Sequence, residues 1–160
     1  MGFKTADLYD AHAAEVSVAQ PLLRHYGGRR VFCGQILTVQ VFEDNLLVRQ
    51  TLDTVDGRGK VLVVDGGASL RVALVGDRLA QIAVRQGWEG IVVNGCIRDS
   101  AECAGFDLGL MALATIPVRP QMKGHGESGF PVAVAGVKFS PGEWLYADED
   151  GILTSARALA

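Results

Sequence analysis

The chain has 160 residues, a formal net charge of −3 and a pI of about 5.6. Apolar residues make up 49% and charged residues 21% of it, which is ordinary for a globular protein and argues against a fibrous or disordered chain. Because contacts with phosphate backbones need clustered Lys and Arg, this acidic balance argues against direct nucleic-acid binding. The length predicts a single domain over residues 1–160 with a core of its own.

The sequence contains no targeting or membrane signal that we can identify. No run of 18 apolar residues is present, and residues 1–7 lack the apolar centre of a signal peptide. The three cysteines are an odd number and form no Cys-x-x-Cys pair, so we interpret them as reduced, structural thiols. We therefore expect a cytoplasmic protein that does not enter a membrane.

The first half of the chain predicts strands and helices in alternation. Apolar and β-branched residues over 31–42 indicate a long, half-buried strand, and Asp44 and Asn45 are good N-cap residues for a short helix that ends near residue 53. A glycine-rich turn over 54–59 leads to residues 60–65, whose continuous apolar run is typical of a strand covered on both faces.

The next segment predicts a strand-helix-strand unit. A possible helical turn follows residues 66–69 and extends to Leu74, and a helix is predicted over 78–86 with Gly87 at its C-terminal end. Residues 90–95 predict a second buried strand, parallel to the strand at 60–65 through a right-handed crossover. Ligands of such units bind beyond the carboxyl ends of the strands.

The last third of the chain predicts short strands joined by turns. Residues 109–117 indicate a further strand, and the polar, glycine-rich residues 121–129 indicate a flexible loop. Alternating short strands then follow over 132–134, 137–139, 144–147 and 152–155. The fold class is therefore mixed α/β, with a parallel βαβ core and antiparallel C-terminal strands.

The candidate site is a spaced group of charged residues: Asp77, then twenty residues, then Arg98 and Asp99, then two residues, then Glu102. Asp99 and Glu102 are three residues apart and would face the same way if a helix begins near Ser100. Converging carboxylates favour a hard divalent cation such as Mg²⁺ or Mn²⁺, which needs one or two carboxylates plus waters and substrate oxygens. The competing interpretation is a surface ion pair between Arg98 and Asp99.

Other chemistries have weaker signals. The turn at residues 65–69 resembles a nucleotide or S-adenosylmethionine loop but lacks the spacing of a dinucleotide or phosphate-binding loop. Schiff-base chemistry would need a nucleophilic lysine beside Arg98, and none of the four is close in sequence: Lys4, Lys60, Lys123 and Lys138. The histidines show no zinc-ligand spacing: His12, His25 and His125.

Four motifs occur in the order found in one known family: Phe42-Glu43-Asp44-Asn45, Val61-Leu62-Val63-Val64-Asp65-Gly66-Gly67, Gly87-Trp88-Glu89-Gly90 and Tyr146-Ala147-Asp148-Glu149-Asp150-Gly151. The chain resembles the RraA-like family, which comprises regulators of ribonuclease activity and 4-hydroxy-4-methyl-2-oxoglutarate aldolases. The resemblance runs from Thr5 to Ser155 and implies a layered β/β/α domain of the swivelling type. The aldolase branch has the spaced acid and arginine pattern described above, and every position of it is filled here.

The resemblance also implies roles for individual residues. Substrate binding falls to the start of the predicted helix and to one arginine: Gly76, Asp77, Arg78, Leu79 and Arg98. Asp99 would be the metal ligand, and Arg98, Asp77 and Glu102 would act in catalysis. A helix start offers free N–H groups to a carboxylate, and the arginine fork matches a carboxylate at two points.

The implied activity is that of a class II, metal-dependent aldolase, which cleaves 4-hydroxy-4-methyl-2-oxoglutarate to two molecules of pyruvate. Oxaloacetate decarboxylation would be a secondary activity through the same metal-stabilised pyruvate enolate. The base remains open between a metal-bound hydroxide and a water held by Asp77 or Glu102. The family also implies a homotrimer or a hexamer with sites at subunit boundaries. The alternative function is that of a protein-binding inhibitor of a ribonuclease E-type enzyme, because fold alone does not decide function.

Overall fold

The computed structural model describes residues 2–160. Within that range the helices are α1 (Thr5–His12), α2 (Leu46–Thr54), α3 (Asp77–Arg85) and α4 (Ser100–Cys103). The strands are β1 (Val16–Val18), β2 (Arg24–His25), β3 (Phe32–Gln40), β4 (Lys60–Asp65), β5 (Ala73–Val75), β6 (Gly90–Ile97), β7 (Gly109–Thr115), β8 (Glu127–Ser128), β9 (Val132–Val134), β10 (Val137–Phe139), β11 (Trp144–Asp148) and β12 (Gly151–Ser155). No helix in residues 2–160 has the length and apolar character needed to cross a membrane.

One large mixed sheet organises the molecule. Its strands lie in the order β1-β12-β11-β3-β4-β6-β7-β2, with β5 paired to β6 and β8 paired to β3. The centre from β3 to β7 is parallel, whereas β11, β12 and β1 are antiparallel to their neighbours. The structure thus has the predicted parallel βαβ core and the predicted antiparallel C-terminal strands.

Two apolar clusters cover the two faces of this sheet. Along β4, Leu62 and Val64 point into a cluster that includes residues of α2 and α3, whereas Val61 and Val63 point into a cluster that includes β9 and β10. Because successive side chains of a strand alternate between faces, both faces of β4 must be apolar. This explains the uninterrupted apolar run and gives the β/β/α layering.

The sequence did not reveal every element. The possible helical turn up to Leu74 is wrong, because residues 73–75 form strand β5 and pair with β6. A hydrogen bond from Ala73 N to Val118 O holds this short strand on its other side. Helix α1 was not predicted, and neither were the strands β1 and β2, whose three and two residues are too few to show a period.

The predicted loop over residues 121–129 is held to the helix start by one carboxylate. Asp44 is 1% exposed, and its oxygens accept hydrogen bonds from the backbone N–H groups of Leu46, Lys123 and Gly124. Residues 127–128 of the loop then form β8 against β3. Asp44 therefore holds the loop at residues 123–124, and the pairing of β8 with β3 holds it at residues 127–128.

We expect the contribution of Asp44 to stability to depend on pH. Burial alone would raise the pKa of this carboxyl, but the backbone N–H groups that it accepts lower its pKa below the ordinary 3.8. A lowered folded-state pKa stabilises the protein above about pH 4, and that stabilisation is lost as the pH falls through the folded-state pKa. The difference between urea titrations of the wild type and Asp44→Asn should therefore be largest near neutral pH and should shrink as the pH falls below about 4. A constant difference would contradict this account.

Candidate active site

A pocket of about 560 Å³ lies beyond the carboxyl ends of β5 and β6, where the sequence predicted a ligand. Its wall includes the predicted residues Gly76, Asp77, Arg78, Leu79, Arg98 and Asp99. It also includes residues to which the sequence had assigned no role in a site, among them Asn45, Arg49 and Arg119. The start of α3 and the end of β6 therefore share one pocket within a single chain.

Strand pairing brings the two predicted segments together. Val75 of β5 pairs with Ile97 of β6, and the N–H group of Arg98 donates to Val75 O at 2.9 Å. The N–H group of Asp77 donates to Asp99 Oδ2 at 3.1 Å, so the side chain of Asp99 lies against the first turn of α3. The twenty-residue spacing in the sequence thus corresponds to contact in space.

The start of α3 lies so close to Arg98 and Asp99 that position 76 needs a glycine. A Cβ atom at position 76 would lie 2.7 Å from Asp99 Oδ2 and 3.3 Å from Arg98 Cγ. The first distance is shorter than real Cβ contacts, so a side chain at this position would push the carboxylate away. Because Gly76 has no side chain, the start of α3 can lie against the side chains of Arg98 and Asp99.

Asp99 has the environment of a ligand for one hard cation. It is half-buried, and within residues 2–160 only Asp77 N donates a hydrogen bond to its carboxylate, through Oδ2. Oxygen Oδ1 is left for another partner. No group of three or more His, Cys, Asp or Glu side chains in the described range could hold a metal together. The residues fit a cation such as Mg²⁺ that takes one carboxylate and completes its shell with waters and substrate.

Glu102 is not brought into this pocket. It lies exposed on the four-residue helix α4 and is absent from the pocket wall. Asp99 precedes the helix with left-handed torsions, φ 56° and ψ 40°, so the three-residue helical spacing does not align the two carboxylates as expected. An aspartate tolerates this conformation better than most residues. The catalytic role of Glu102 stays a prediction.

Asn45 was predicted as a helix cap, but its side chain makes no capping hydrogen bond, and the residue lines the pocket. Its Nδ2 donates to Leu74 O at 3.0 Å, while Oδ1 is buried without a hydrogen-bond partner in the described range. The Leu74 carbonyl can only accept, which fixes the orientation of the amide. Asn45 stands at the N-cap position of α2 without a side-chain cap, and the N–H group of Leu46 donates to Asp44 Oδ1 instead, at 3.1 Å. Asn45 is therefore a buried polar residue at the ligand site.

Two rival chemistries find little support in this geometry. No lysine within residues 2–160 lines the pocket, so a Schiff-base nucleophile is not at hand there. The turn after β4 was compared with a nucleotide or S-adenosylmethionine loop, but its carboxylate binds groups of the protein itself. Asp65 Oδ1 accepts hydrogen bonds from Gly67 N at 3.0 Å and from Asn94 Nδ2 at 2.9 Å. That carboxylate is engaged within the fold.

The thiol of Cys103 lies close behind the acidic residues and should be unreactive. Burial, with a smaller contribution from the nearby carboxylates of Asp99, Asp77 and Glu102, raises its pKa to about 11. A raised pKa means that thiolate forms only as the pH approaches that value. At about pH 8 we expect alkylation of Cys103 by iodoacetamide to be roughly 100-fold slower than in the unfolded chain. Peptide mass spectrometry over time measures this rate, and equal rates in both states would contradict it.

The similarity of this chain to known proteins extends over nearly its whole length. The family model RraA-like (Aldolase/RraA) matches residues 5–154. A protein of Dechloromonas aromatica (strain RCB), named "Putative 4-hydroxy-4-methyl-2-oxoglutarate aldolase", is 54% identical over 99% of both chains. One of Burkholderia multivorans (strain ATCC 17616 / 249), with the same name, is 53% identical over 99% of both chains.

Two solved structures have nearly the same fold. One is called S-adenosylmethionine: 2-dimethylmenaquinone methyltransferase from Geobacillus kaustophilus HTA426, with a TM-score of 0.96 and 48% identity over 98% of this chain and 97% of that one. The other is called the RNA-processing inhibitor RraA from Thermus thermophilis, with a TM-score of 0.95 and 43% identity over 100% of this chain and 96% of that one. By sequence and by fold, the chain belongs to the RraA-like family.

Proposed function

We propose that the protein is a class II aldolase that cleaves 4-hydroxy-4-methyl-2-oxoglutarate to two molecules of pyruvate, with oxaloacetate decarboxylation as a secondary activity. The observation that carries the proposal is the meeting of Asp77, Arg98 and Asp99 in one pocket at the start of α3. The names of the relatives that cover nearly the whole chain point in the same direction.

Arg98 and the start of α3 bind the 2-oxo acid in this proposal. Arg98 lines the pocket with its guanidinium near the Pro117 carbonyl, at 3.4 Å from Nη1 to O. A guanidinium fork and a carboxylate can form two parallel hydrogen bonds. Residues 76–79 line the same pocket, and N–H groups at a helix start favour an anion. Together these donors orient the substrate at its carboxylate end.

Asp99 holds a divalent cation, Mg²⁺ or Mn²⁺, in this proposal. When bound, such a cation stabilises negative charge that develops on the oxygens of the 2-oxo acid. Asp77 holds a water that takes the proton of the 4-hydroxyl group, and Glu102 is the alternative acid for this role. Breaking the bond between C3 and C4 of the aldol substrate releases one pyruvate and the enolate of a second, and decarboxylation of oxaloacetate releases CO₂ and the same enolate. A proton taken up at carbon then turns the enolate into pyruvate in both cases, so one arrangement of donors serves both reactions.

The direct test is turnover by the purified protein. We expect pyruvate, coupled to lactate dehydrogenase, to form from 4-hydroxy-4-methyl-2-oxoglutarate and more slowly from oxaloacetate in the presence of Mg²⁺. Treatment with EDTA should remove both activities, and Mg²⁺ or Mn²⁺ should restore them. Turnover that survives EDTA, or no turnover with either cation, would refute the proposal.

Assembly and location complete the proposal. We propose a cytoplasmic homotrimer, or a hexamer of two trimers, in which neighbouring chains help to enclose the pocket. Sedimentation equilibrium measures the mass of the assembly. A monomer that turns over at the full rate would refute the role given to the neighbouring chains.

A second candidate function is inhibition of a ribonuclease E-type enzyme by direct protein binding. The structure from Thermus thermophilis, which carries the name of an RNA-processing inhibitor and matches all of this chain, favours it. An inhibitor has no use for a pocket in which Arg98 and Asp99 meet. Inhibition of RNA cleavage by a variant without aldolase activity would therefore establish the second function separately from the first.

A further inference from the structure

The arginines of this protein are unevenly paired. Six of the eleven form ion pairs with carboxylates elsewhere on the molecule: Arg29, Arg30, Arg58, Arg71, Arg85 and Arg157. Four of the other five line the candidate active site and form no ion pair with any residue in the range 2–160: Arg49, Arg78, Arg98 and Arg119. The unpaired positive charge of the chain is thus concentrated in one pocket.

The carboxylates in that wall do not balance this charge. Asp77 and Asp99 are the acidic residues that line the pocket, and the proposed function reserves Asp99 for a cation. A cleft with an excess of one sign focuses its field and attracts the opposite charge. Four guanidinium groups and a cation exceed what one carboxylate of a ligand can neutralise. The pocket therefore suits a ligand with more than one negative charge.

Two of these arginines, Arg49 and Arg119, belong to other segments of the chain than those proposed to bind the 2-oxo acid end. Arg49 is on the first turn of α2, where its N–H group donates to Asn45 O at 3.0 Å. Arg119 belongs to a segment that is fixed by hydrogen bonds from Ala73 N to Val118 O at 2.8 Å and from Asn45 N to Gln121 O at 3.0 Å. Both side chains are exposed and can reach a ligand. Arg49 and Arg119 therefore reach the pocket from segments of the chain other than those that carry Arg98 and the start of α3.

We propose that Arg49 and Arg119 bind the second carboxylate of a dicarboxylic 2-oxo acid whose first carboxylate is bound by Arg98. The inference rests on the proposed function, and it makes these two arginines the residues that select dicarboxylic over monocarboxylic substrates. Each guanidinium offers the distal carboxylate a fork of donors that a lysine would not reproduce. A terminal methyl group in place of that carboxylate leaves both forks without a partner.

A matched pair of unreactive ligands tests this inference without catalysis. The compounds 2-oxoglutarate and 2-oxopentanoate have the same chain length and the same 2-oxo acid end, and differ by a terminal carboxylate against a methyl group. By calorimetry in the presence of Mg²⁺, we expect the wild type to bind 2-oxoglutarate at least about tenfold more tightly. The double variant Arg49→Gln and Arg119→Gln should lose most of this preference.

Arg24→Gln is the matched control, because it removes the same charge from the remaining unpaired arginine, which lies outside the pocket. The control should keep the preference of the wild type. Equal affinities of the wild type for the two ligands, no binding of 2-oxoglutarate, an unchanged preference in the double variant, or an equal loss in the control would each overturn the inference. Failure of the aldolase assay with the preference intact would instead remove the proposed function alone.

Discussion

Asp99→Asn is expected to lower kcat/KM for pyruvate formation by on the order of 10³, because the variant loses the charge that holds the cation. Asparagine retains an oxygen that can accept the hydrogen bond from Asp77 N, which lies 3.1 Å from Asp99 Oδ2. It also tolerates the left-handed torsions at this position, φ 56° and ψ 40°. The substitution therefore isolates the charge from the local structure.

The measurement has two parts, which are pyruvate formation with excess Mg²⁺ and affinity for Mn²⁺ by electron paramagnetic resonance. Both should fall in Asp99→Asn. Asp107→Asn is the control, because Asp107 is an exposed acid that pairs with Arg29 away from the pocket, at 2.9 Å from Nε to Oδ1. It should behave like the wild type. Undiminished affinity for Mn²⁺ in Asp99→Asn would show that the cation is held elsewhere.

The parts of the fold that the sequence predicted are those with many residues in one pattern. Strand β4 has apolar side chains on both faces, and the C-terminal strands are separated by turn residues. Their positions therefore follow from the local sequence pattern. Strand β5 has only three residues, and it is a strand because it pairs with β6 in the folded chain. The local sequence does not indicate this pairing. The same holds for β1, which exists through its partner β12.

The candidate site shows the same division. Parallel strands place their carboxyl ends at one edge of a sheet, and this rule was enough to expect the start of α3 near Arg98 and Asp99. Arg49 and Arg119 are 70 residues apart and share no motif, so only the folded chain reveals that they line the same pocket. Glu102 shows the opposite case, since its spacing from Asp99 implied convergence that the left-handed torsions of Asp99 remove.

Gly76→Ala is expected to lower kcat/KM for pyruvate formation by about 100-fold, because a displacement of reacting groups by about 1 Å has an effect of that size. The new Cβ atom would lie 2.7 Å from Asp99 Oδ2 and 3.3 Å from Arg98 Cγ, so both side chains must move. The backbone at position 76, with φ −134° and ψ −162°, is open to any residue. The variant should therefore fold, with the damage confined to the site.

Gly95→Ala is the control for this substitution. Gly95 lies in β6, and a Cβ atom there would come no closer than 3.4 Å to a neighbour, Leu74 Cδ1, which is an ordinary contact. Thermal unfolding should show that both variants keep the stability of the wild type within about 1 kcal/mol, since alanine also restricts the unfolded chain. Only Gly76→Ala should lose turnover and affinity for Mn²⁺. Full activity in Gly76→Ala would mean that the carboxylate of Asp99 and the side chain of Arg98 need not lie against the start of α3 for the reaction to proceed.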